Sequence, residues 1–172
     1  MSGPDPSRLY ALRLRVMRII LGSLCVGVAA MAAVMVWLRQ AEPLPPPQPL
    51  PVLSFVALGF AAFMAVFSVA LPVFLQAFWR RQLREQQQAA PAGPPFGPDS
   101  DWWARYQTRL ILQAAPLEGA AFFQLIAYRI EGLPVSLGVA AGLFVCLLML
   151  FPTRDGVERW VETQRDLMEQ GR

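Results

Sequence analysis

Glu118 is the single carboxylate inside an apolar run of this sequence. It lies in LILQAAPLEGAAFFQLIAY, Leu110 to Tyr128, two residues after Pro116 and directly before Gly119. A carboxyl group in hydrocarbon can hold its proton and donate a hydrogen bond, release the proton to a relay, or bind a cation. Ionised at the centre of a membrane helix it costs ~2.5–3.5 kcal/mol on insertion scales. The neutral form, turned toward protein, is therefore the expected resting state.

Few other residues can join Glu118 in chemistry. The chain has no His, and its fifteen cationic side chains are all Arg. That removes the usual general base at neutral pH and the commonest ligand for zinc and haem. Cys25 and Cys146 sit in separate apolar runs, at a spacing that matches no metal or redox motif. They read as small hydrophobes in a packed interior. The expectation is a non-enzymatic protein with no metal site and no cofactor. The net charge of +3 comes from arginines flanking the apolar runs, so nucleic acid is not an expected partner.

The elements that must position Glu118 are membrane helices. Hydrophobic residues make up 55% of the chain and charged ones only 16%, against about a quarter in ordinary soluble domains. Four runs reach the length of about 20 apolar residues that a bilayer crossing needs. They cover residues 19–38, 52–79, 108–130 and 135–151. Lipid cannot satisfy backbone donors and acceptors, and the runs lack strand alternation, so each is predicted as a helix. The fold class is thus all-α, a polytopic bundle of four antiparallel transmembrane helices.

Arginine placement sets the expected topology. Thirteen arginines lie in the 1–18 segment, in the 80–107 loop with Arg109 just beyond it, and in the 152–172 tail, whereas Arg39 and Arg129 stand alone in the other two connections. The positive-inside rule puts both termini and the central loop in the cytoplasm. All-arginine cation usage points to a GC-rich bacterium, hence an inner (plasma) membrane, and the first run is too long for a cleaved signal. The outer loop 39–51 is proline-dense and predicted stiff, and the outer turn 131–134 pairs Gly132 with Pro134. Residues 80–90 are predicted to extend the second helix, and Asp99, Ser100 or Asp101 to cap the third. Trp37, Trp79, Trp102 and Trp103 are the expected interface anchors. The tail carries Val157, Trp160, Val161, Leu167 and Met168 on one helical stripe, suited equally to self-packing or to a partner.

Small residues at spacing four mark expected helix contacts: Gly138 and Gly142, and Ala57, Ala61 and Ala65. Such seams fit a homo-oligomer or a membrane-complex partner as well as the bundle itself. Short connections predict the first helix beside the second and the third beside the fourth. Gln113 and Gln124 share a face and are candidates for interhelical hydrogen bonds. By depth, Glu118 lies near Ser68, whose carbonyl loses its helical partner because Pro72 has no N–H. Glu118 and Ser68 are therefore an expected pair, structural or ion-binding.

The stretch TRLILQAAPLEGAAFFQLIAY resembles the carboxylate helix of rotary ATPase c subunits. There a helix leaving an arginine-containing loop carries an acidic residue at mid-membrane. Glu118 takes the acidic position, and Phe122, Phe123, Leu125 and Ile126 take the apolar places that follow. The resemblance implies proton or sodium binding by Glu118. It covers about twenty residues. The long proline-broken loop, Pro116 and Gln124 depart from the family pattern. As a whole the chain resembles small bacterial membrane proteins of four helices. Two functions follow as expectations: an accessory or assembly subunit working within the lipid bilayer, or a proton- or cation-handling protein using Glu118.

Overall fold

The computed structural model describes residues 6–41, 50–89 and 100–169, all in helices or the short turns between them. Five helices follow in order: α1 (Pro6–Ala41), α2 (Val52–Ala89), α3 (Ser100–Glu131), α4 (Pro134–Met149) and α5 (Arg154–Glu169). The proline-dense segment 42–49 and Asp99 lie outside the described residues, as do the side chains of Ser100, Asp101 and Trp102. Helices α1, α2 and α3 are each long and apolar enough to cross a membrane. Helix α4 is apolar throughout but has 16 residues, a rise of about 24 Å against a hydrocarbon core of about 30 Å. The α4 and α5 pair bends by 72° at the turn between them, and the two together would make a fourth, broken span.

Helix α3 is the hub. It packs on α1, α2 and α4, whereas α1 and α2 barely touch one another. The expected neighbourhood of the first two helices is corrected accordingly. The reason is visible in α3 itself, where Ala114, Ala120, Ala121 and Ala127 are fully buried. Methyl-sized side chains on several sides let three helices approach one backbone closely. Large apolar side chains such as Phe55, Phe74 and Val66 face outward instead.

The register of α2 on α3 is antiparallel and regular. Glu131 meets Leu53 and Ser54 at one end, Phe123 meets Phe60 edge-on at 5.5 Å, and Arg105 lies over the Trp79 ring at 5.8 Å near the other end. Each step down α3 is matched by one step along α2. Pro72 and Pro116 sit inside α2 and α3 without ending either helix.

The two ends of the bundle differ. At the arginine-rich end α5 folds back on the body. Val157 is fully buried against a cluster of Leu14, Met17, Trp103 and Leu110, with Val161 and Tyr10 beside it. Arg18 donates to the Pro152 carbonyl at 3.3 Å, and Tyr10 donates to the Arg154 carbonyl at 3.3 Å. Val157 and Val161 of the tail's stripe are thus packed on the chain's own helices, and the side chains of Leu167 and Met168 lie outside the described residues. At the arginine-poor end Gly132 takes φ +75°, and its N–H closes α3 on the Tyr128 carbonyl at 2.8 Å. Pro134 opens α4 immediately after.

Candidate functional site

Glu118 stands in the middle of α3, half-buried, and turned toward α1. A Cβ placed on Gly27 would lie 3.6 Å from a Glu118 carboxyl oxygen and 3.7 Å from the Phe122 ring. The carboxyl thus lies beside Gly27, at a distance where even a methyl group there would make ordinary contact. Among the described residues the carboxyl has no hydrogen-bond or ion-pair partner. No group of three or more Cys, Asp or Glu side chains that could hold a metal ion exists among them either.

The expected pairing of Glu118 with Ser68 does not form. The register of α2 on α3 sets Ser68 level with Pro116, about half a turn from Glu118, so the depth agrees. The rotation does not. Ser68 is buried on the α3-facing stripe of α2, and its hydroxyl donates to the Ala65 carbonyl of its own helix at 2.8 Å. Back-bonding of this kind spends the hydroxyl locally. Six residues separate Glu118 from Gln124, which turns it about 120° away from the side of α3 that carries Gln124 and Glu131.

The remaining expected positions divide. Ala57 and Ala61 are buried and Ala65 half-buried, on the packed side of α2. Gly138 and Gly142 are exposed, with nothing within 4 Å of an added Cβ. The packing face of α4 is Ser136, Ala140, Leu143 and Leu147, so the two glycines point outward rather than into the bundle. Gln124 is fully buried, yet neither amide atom has a partner among the described residues, so it makes none of the interhelical bonds expected of it. Gln113 is half-buried at the arginine-rich end. Trp37 is exposed, and Trp79 is half-buried under Arg105. Trp103 is buried and stacks edge-on against Tyr10 at 4.6 Å, so it is core rather than belt.

A polar cluster at the arginine-poor end went unpredicted. The Glu131 carboxylate accepts N–H bonds from Leu53 and Ser54, both 2.7 Å, at the first turn of α2. That is an N-cap supplied by another helix, placed where the helix dipole favours an anion. Ser136 donates to the Ser54 hydroxyl at 3.2 Å, joining α4 to α2. Arg39, at the end of α1, donates to the Tyr128 and Arg129 carbonyls at 3.0 and 3.2 Å and lies 5.2 Å from the Tyr128 ring centroid. It caps the C-terminus of α3, where a cation is favoured. Each partner comes from a different helix, so no local sequence window holds the signal. The one available hint was the coincidence of Arg39, Ser54, Glu131 and Ser136 at the same ends of their runs.

No family model matches the chain, and comparison with curated proteins and with solved structures finds no match.

Proposed function

We propose that this chain is a non-enzymatic integral membrane protein, an accessory or assembly subunit that receives another membrane helix on the face of α3 around Glu118. In this reading it lies in a bacterial inner membrane with both termini cytoplasmic, as the distribution of its arginines favours. One observation carries the proposal. Glu118 has no partner among the described residues, and Ala115 and Gly119 beside it are exposed, with open space over Gly119. An unpaired carboxyl in hydrocarbon is costly, and small neighbours allow a second backbone to come close enough to supply a hydrogen bond. The test is a photoreactive residue at Ala115, activated in native membranes. The expected result is one adduct with another membrane protein, kept by Glu118→Gln and lost with Glu118→Leu. No adduct, or one indifferent to position 118, would overturn the reading.

A second reading is favoured by the same carboxyl lying against Gly27 with no neutralising group. Here Glu118 binds or relays a proton or cation. Reconstituted protein would then show pH-dependent carbodiimide labelling of Glu118 and an ion flux abolished by Glu118→Gln. Labelling without flux would exclude transport.

A further inference from the structure

The arginine-rich end holds a cavity of about 390 Å³ between α3, the end of α4 and the start of α5. On α3 it is lined by Tyr106, Arg109 and Gln113, which follow one another at helical spacing on a single face. Met149 and Phe151, both exposed, form the side nearest the outer surface of the bundle. Trp160 of α5 closes the opposite side, its ring 5.3 Å from that of Tyr106.

Arg109 is half-buried in this wall, and among the described residues no carboxylate pairs with it. Among the described residues no carbonyl accepts from it either, in contrast to Arg18 and Arg159. Arg154 sits with Glu158 at 3.1 Å, and Arg18 is satisfied by the Pro152 carbonyl. A guanidinium held in a cavity without a counter-charge is a site for an anion, and its planar fork suits phosphate. Gln113, one turn deeper, adds amide donors, and the Tyr106 hydroxyl adds another. Thr153 and Gly156, at the start of α5, complete the rim.

We infer that this cavity binds the phosphate of an anionic phospholipid. Arg109, Gln113 and Tyr106 hold the headgroup, and an acyl chain lies over Met149 and Phe151. The apolar side of the cavity is what separates a lipid from a free anion. A soluble phosphate has no use for two exposed hydrophobes at the bundle surface, whereas a lipid of the adjoining leaflet reaches the guanidinium with its tail still in hydrocarbon. The position also fits, because a basic pocket between membrane helices near the headgroup level is where such lipids are held. This site is separate from the face around Glu118 and stands whether or not that face receives a partner.

The experiment measures thermal stability of the full chain in neutral detergent against added short-chain phosphatidylglycerol, phosphatidylcholine or inorganic phosphate. A saturable rise with phosphatidylglycerol is expected, with little from the other two. Arg109→Gln should raise the half-effect concentration about fivefold or more, matching about 1 kcal/mol for one arginine at an anionic surface. Arg159→Gln, an exposed arginine outside the cavity, should leave it unchanged. Should Arg109→Gln not fold, Arg109→Lys tests the same point, since it keeps the charge but not the fork and should weaken binding by a smaller factor. Equal responses to the two lipids would overturn the inference. So would an unshifted curve in the Arg109 variant, or inorganic phosphate reproducing the whole effect.

Discussion

Arg39 occupies the space that a side chain at Gly132 would need: a Cβ built there would run into the guanidinium. Two demands meet at this one glycine. Its φ of +75° is a conformation that other residues adopt at a cost, and its bare Cα leaves Arg39 free to reach the Tyr128 and Arg129 carbonyls. The end of α1 is thereby tied to the end of α3 without a direct connection between them.

Gly132→Ala should therefore destabilise by about 2–4 kcal/mol, combining left-handed strain with the lost cap. Arg39→Ala alone should cost about 1–2 kcal/mol. Because both remove the same contact, the double variant should cost less than the two together. Thermal unfolding of the three variants in detergent checks this, and simple additivity would show that the two residues act independently.

The orientation of Glu118 can be read by crosslinking. In a background with Cys25 and Cys146 replaced by Ser, cysteines at positions 27 and 118 should join readily through a short thiol-reactive linker. A pair at 68 and 118 should join slowly or not at all, since Ser68 and Glu118 lie on different sides of α3. Gly27→Ala should stabilise by up to about 1 kcal/mol, because its added methyl meets Glu118 and Phe122 only at ordinary contact distance and Ala is the better helix former. The reverse crosslinking preference would place the carboxyl against α2.

Gln124 offers a test with opposite signs. A buried amide without partners costs about 1–3 kcal/mol relative to one that is bonded. Gln124→Met, similar in volume, should therefore raise stability, by about 1 kcal/mol. Had Gln124 bonded across to another helix, the same change would lower stability by about 0.6 kcal/mol, the average for such bonds in a membrane bundle. The direction of the shift in midpoint decides between the two.

Docking of α5 rests on Val157, which is fully buried among Leu14, Met17, Trp103 and Leu110. Val157→Ala should cost about 1–2 kcal/mol for the buried methyls it removes. Val157→Asp would bury an unpaired carboxylate, and the helix should leave the body instead. Limited proteolysis of residues 154–169 should then quicken sharply, while cleavage elsewhere stays unchanged. Equal protection in both variants would mean that other contacts hold the tail.

The outward glycines of α4 give a further contrast. Gly138→Leu and Gly142→Leu should leave the bundle as stable as the parent or more stable by up to about 1 kcal/mol, since nothing lies within 4 Å of either site and Leu is the better helix former. A large loss of stability would place them on the packed side of the bundle.

The sequence by itself determined the helical class, the extent of the apolar runs and the depth of each polar residue. Lipid leaves no other way to satisfy a backbone, and a helix advances by a fixed rise per residue. That is why Ser68 and Glu118 are close to level, and why the stripe of Val157 and Val161 on the tail is visible in the chain. Rotation about each axis was decided only in the tertiary structure. Glu118 faces Gly27 and not Ser68, and Gly138 and Gly142 point outward while Ala140 points in, because the buried alanines of α3 draw three helices onto one. In a chain whose helices are apolar nearly all round, hydrophobic periodicity is too weak to say which side packs on another helix and which faces outward. The caps of Arg39 on α3 and of Glu131 on α2 were hidden for a related reason: each joins residues far apart in sequence that meet only when the ends of the helices are brought level.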